Sequence, residues 1–84
     1  MNRETEAAWR TVLGTNVGRA LIWRLLMQTG LLSAETGTDA VSMARSAGRR
    51  QVGATLFREI RDAAPEECGK MLIENVNEAD NVHT

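Results

Sequence analysis

Arginine is the residue type whose number and spacing could do chemistry in this chain: nine of the ten basic residues are Arg, and only Lys70 is Lys. A guanidinium presents a planar fork of donors that matches a carboxylate or a phosphate bidentately, so an arginine-rich surface suits fixed contacts with acidic proteins or phosphates. Arg45 and Arg49 sit one helical turn apart with Arg50 adjacent, Arg58 and Arg61 follow, and Arg19 and Arg24 form an earlier pair. Two readings stay open. Glu59 and Asp62 in the same stretch allow a solvated face laced with ion pairs. Otherwise Arg45, Arg49, Arg50, Arg19 and Arg24 are partner-binding residues, docking onto an acidic protein surface or contacting DNA phosphates. The net charge of −1 favours the protein partner, because proteins that coat nucleic acid carry a large cationic excess.

Other reactive groups are sparse. A nucleophile needs a positioned base, but Cys68 falls on a predicted helix and the single histidine, His83, falls in a polar tail. One cysteine forms no intrachain disulfide, and with one histidine it offers no set of soft ligands for zinc. The paired acids Glu66 and Glu67 read as partners of a helix dipole rather than as acid–base catalysts. Gly14, Gly18 and Arg19 resemble a phosphate-binding turn only superficially, since no strand precedes them and no Gly-Lys-Ser/Thr follows. The expectation is a protein that acts through its surfaces, with no enzymatic activity, no cofactor and no metal.

A chain of 84 residues makes one domain with a modest core, for which a partner can supply stability. Hydrophobic residues at 43% and charged residues at 25% are ordinary for a globular protein, so the chain is expected to fold. The usage of one cysteine fits a cytosolic origin. Apolar runs such as Ala20-Leu21-Ile22 stop at Trp23-Arg24, far short of the roughly 20 residues of a membrane span, and the start lacks a signal-peptide core.

Four elements must position these groups. Ala8, Trp9, Val12 and Leu13 at helical spacing predict a first helix over Glu4 to Leu13, ending near Gly14. Thr15 or Asn16 caps a second from about Val17 to Gln28 that stops at Gly30. Its two apolar stripes, Val17-Leu21-Leu25 and Ile22-Leu26, widened by Trp23 and Met27, predict the central and most buried helix. Gly30 to Thr38 reads as a loop. Thr38 or Asp39 then caps a long third helix to about Ala63, with Val41, Ala44, Gly48, Val52, Leu56 and Ile60 in helical order. Gly48 and Gly53 each cost about 1 kcal/mol inside a helix, so either the helix kinks or another backbone packs closely against them, a close helix crossing being the preferred account. Pro65 opens a fourth helix to about Val76. The fold expected is all-α, a small bundle of about four helices with a long third helix: a single helical domain over 1–76 and a polar C-terminal tail over 77–84. Trp9 and Trp23 are expected to anchor the core.

The order Gly18-Arg19-Ala20-Leu21-Ile22-Trp23-Arg24-Leu25-Leu26, Gly30, Gly48-Arg49-Arg50-Gln51-Val52-Gly53, Pro65-Glu66 and Met71 resembles the Bordetella phage protein nineteen family. The resemblance runs from about Thr15 to Glu74, and its most specific parts are Trp23 with its flanks and the Gly48–Gly53 hexad. Gln51 stands where Asn is usual, and Cys68-Gly69 where the last helix usually carries an aromatic residue. The family implies a small protein of tailed bacteriophages encoded among head and portal genes: a minor structural virion protein, made in the host cytoplasm. It would dock in multiple copies on other phage virion proteins near the portal, tail or capsid interior. The alternative is a DNA-associated protein packaged or ejected with the genome.

Overall fold

The computed structural model describes residues 1–32 and 39–82, with side chains as far as Val76. Helix α1 (Arg3–Leu13) begins where the Asn2 side chain accepts a hydrogen bond from the Thr5 amide at 2.8 Å. Helix α2 (Asn16–Gln28) is capped by Thr15, whose hydroxyl accepts from the Gly18 amide at 3.0 Å. It ends at Gly30, whose φ of 75° is the left-handed conformation glycine adopts freely. Asp39 caps helix α3 (Ala40–Ala63) by accepting from the Ser42 amide at 2.8 Å. Those bonds hold the Asp39 carboxyl below the ordinary aspartate pKa. Helix α4 (Pro65–Val82) starts on Pro65, as the sequence predicts, but runs through most of the segment expected to be tail, past Val76 to Val82. His83, Thr84 and the loop segment 33–38 lie outside the described residues.

The all-α expectation holds, and α3 is the longest helix with 24 residues. The core sits at the corner between α3 and α4. Ala63 and Ala64 are fully buried there, the Ala64 amide donates to Ile60 and its carbonyl accepts from Cys68, so the chain reverses inside the core on one linking residue. Leu13 from the end of α1, Leu26 from the end of α2, Ile60, Cys68 and Met71 close around the corner, with Trp9, Ile22, Trp23, Met27, Leu56 and Phe57 packed against them. Both tryptophans therefore anchor the core as expected.

Helix α2 packs against all three other helices, but only one of its two apolar stripes faces inward: Leu26 is buried with Ile22 packed beside it, whereas Val17, Leu21 and Leu25 are 75%, 54% and 49% exposed. Its apolar residues nearly encircle the helix, so periodicity alone does not choose the inward face. The buried residues of α3, Gly53, Ile60 and Ala63, all lie in its second half, whereas Val41, Met43 and Val52 are exposed. At 1.5 Å per residue α3 is about 36 Å long and α1 about 16 Å, too short to cover it. The Cα envelope of 41 × 37 × 15 Å is correspondingly thin.

The glycines divide the same way. A Cβ at Gly53 would collide with Thr29 Oγ1 and stand 2.9 Å from Thr29 Cβ, which marks the close crossing of α3 with the end of α2. Among the described residues a Cβ at Gly48 would meet nothing within 4 Å, so none of them makes the expected crossing there. Gly18 carries a crossing the sequence reading did not foresee: a Cβ there would collide with the Val12 carbonyl, because α2 starts hard against the end of α1.

Candidate docking surface

Of the five arginines singled out in the sequence, the fold brings two together and separates the rest. Arg45 and Arg49 are exposed on the uncovered half of α3 and border a shallow depression floored by Gly48 and Val52. Arg50, next to them, is half-buried and has a partner within the protein. Arg24 is exposed on α2 beside Leu21 and Leu25.

Arg19 is placed against expectation. It is buried, and its guanidinium donates to both carboxylate oxygens of Glu74 at 2.7 and 2.9 Å and to the Leu13 carbonyl at 3.0 Å. One side chain thus ties the end of α1, the start of α2 and α4. Glu74 is the partner that sequence reasoning missed, although an arginine on an apolar helix face requires a carboxylate to compensate its loss of water. The hydrogen bond from Arg19 holds Glu74 below the ordinary glutamate pKa, and the same bond raises that of Arg19. Arg19 accordingly leaves the set of docking residues.

The depression at Arg45 continues along α3. Gly48 and Val52 lead to Leu56, and Leu56 opens onto a groove walled by Ala8, Trp9 and Val12 of α1. Glu4 and Glu59 edge the far end, where Glu59 accepts a hydrogen bond from Trp9 Nε1 at 3.2 Å. The furrow is cationic at one end, apolar in the middle and acidic at the other. From Ala40 to Arg58 the chain has four arginines and no acidic residue, a segregation that the overall charge conceals.

Cys68 is buried and burial pushes its thiol pKa up, favouring the unreactive neutral form. Among the described residues no group of three or more His, Cys, Asp or Glu could hold a metal ion. Among the described residues no helix is long and apolar enough to cross a membrane.

No curated protein and no solved structure matches the chain. Residues 9–73 match the family described as Bbp19-like phage protein, a span that includes the Arg19–Glu74 tie at its α2 end, the Gly53 crossing and the α3 wall of the furrow from Arg45 to Glu59. The chain belongs to the Bbp19-like family of phage proteins.

Proposed function

We propose that this phage protein is a minor structural component of a tailed-phage virion, held in repeated copies near the portal, tail or capsid interior and without catalytic activity. The observation that carries the reading is the amount of large apolar surface left open on so small a chain. Val17, Leu21 and Leu25 form an exposed stripe on α2, and Val41, Met43 and Val52 are exposed on α3 beside Arg45 and Arg49. Contiguous apolar surface rimmed by charge marks a protein–protein interface. Quantitative mass spectrometry of purified particles before and after DNA ejection tests the proposal. A fixed copy number retained after ejection is the expected result, reduced when Arg45 and Arg49 are both replaced by Glu. Absence from particles would refute it.

A second reading, a DNA-associated protein packaged or ejected with the genome, draws on the acid-free stretch from Ala40 to Arg58. Phosphate contacts weaken steeply as salt rises, whereas a mixed apolar protein interface responds much less. Loss of the protein together with the ejected genome would favour this reading.

A further inference from the structure

We infer that the furrow along α3 is the contact surface between two copies of this chain, paired about a two-fold axis at Val52 with their α3 helices antiparallel. This deepens the docking reading above by naming the occupant of the α3 face. In an antiparallel pair centred on residue 52, positions equally far from the centre meet. Gly48 then faces Leu56 of the other copy, and Arg45 faces its Glu59.

Three features of the furrow fit that register. Its ends carry opposite charge, Arg45 and Arg49 at one and Glu4 and Glu59 at the other, so reversing a second copy end for end sets each cationic end on an acidic one. Parallel pairing would oppose like charges instead. The middle is apolar, with Val52 exposed at the axis and Leu56 half-buried beside it. Gly48 weakens its own helix by about 1 kcal/mol relative to Ala and has no neighbour among the described residues within 4 Å of a Cβ position, so none of them accounts for the space. A Leu56 side chain from the opposite copy fills it. Residues 45, 48, 52, 56 and 59 recur at spacings of three and four, the pattern by which nearly aligned helices pack along their length. The same patch serves on both copies, as a two-fold interface requires.

From Arg45 to Glu59 the contact runs about 21 Å along the helix, a short interface of the weak, concentration-dependent class. The purified 84-residue chain is therefore followed by sedimentation and light scattering across a concentration series into the high micromolar range. The expected mass rises to twice the 9.2 kDa of one chain. Val52→Cys should cross-link to itself under mild oxidation, while the wild type does not, because Cys68 is buried. Gly48→Leu should remain folded by circular dichroism yet stay monomeric at every concentration. Arg45→Glu should likewise be monomeric, and Arg45→Glu with Glu59→Arg should pair again.

A single-chain mass throughout the series would overturn the inference. So would a dimer that survives Gly48→Leu, or one that cross-links through Leu21→Cys rather than Val52→Cys, since the contact would then lie on another face. Particle mass spectrometry reads the virion proposal independently. Virion copies of a protein that is monomeric in solution would refute only the pairing, and a dimer missing from particles only the virion role.

Discussion

The two glycines of α3 should answer the same substitution with opposite signs. Alanine at either position removes backbone freedom from the unfolded chain and is worth about 1 kcal/mol to the helix. At Gly48 no described residue opposes that gain, because none of their atoms lies within 4 Å of the new methyl group. At Gly53 the methyl collides with Thr29 Oγ1 and stands 2.9 Å from Thr29 Cβ. Turning the hydroxyl aside breaks its 2.6 Å hydrogen bond to the Leu26 carbonyl, a loss of about 1 kcal/mol, and still leaves the two carbons too close. The crossing must then open, and overpacking of this kind costs about 1–3 kcal/mol. Gly53→Ala should therefore lose about 1–3 kcal/mol overall while Gly48→Ala gains about 1 kcal/mol. At about 4–8 °C per kcal/mol for a domain of this size, the two melting temperatures should differ by at least about 8 °C. Thermal melts followed by far-UV circular dichroism in dilute solution, where single chains dominate, read the difference. Thr29→Gly removes both offending atoms and should recover part of the loss when combined with Gly53→Ala. Equal stability of the two alanine variants, or no coupling between positions 29 and 53, would refute the tight crossing.

Two further outcomes follow from burial and charge. Leu26→Ala, which empties a fully packed site at the corner, should cost about 2–5 kcal/mol in a urea melt, whereas Leu21→Gln on the exposed stripe of the same helix should stay within about 0.5 kcal/mol. Glu74 is held below its ordinary pKa of 4.5 by Arg19, so the folded state binds that proton less readily than the unfolded chain. Its stabilising contribution is complete above pH 4.5 and is lost as the pH falls through the lowered folded value. Glu74→Gln should flatten the acid limb of a stability–pH curve, and a limb of unchanged steepness would exclude the pair as its source.

Much of the architecture was legible because local chemistry fixed it. Thr15 and Asp39 cap, Gly30 stops α2, and Pro65 restarts the chain, each for a reason confined to one turn of helix. What the sequence left hidden were choices made by distant residues. Whether Val17-Leu21-Leu25 or Leu26 with Trp23 faced inward depended on the corner at Ala64, some forty residues on. The site was legible in part: Arg45 and Arg49 form one exposed pair, but Arg19 looked equally available until Glu74, 55 residues away, was brought beside it. Gly48 and Gly53 resemble each other in sequence and differ only in what the fold sets against them. The furrow escaped notice because its walls come from α1 and α3, and no single segment carries its charge gradient.

The Cα atoms of the protein span 15 Å in the thinnest direction, room for two helices one on the other, since Cα cylinders about 4.6 Å across pack with their axes about 8–10 Å apart. Its core is a seam along the α3–α4 corner, and every helix that touches the seam turns its other side to water. Covering one broad face therefore does for this protein what a further layer of helices does for a larger bundle. Folding and assembly draw on the same reservoir of apolar surface, so the heat resistance of the chain should track how completely that face is occupied.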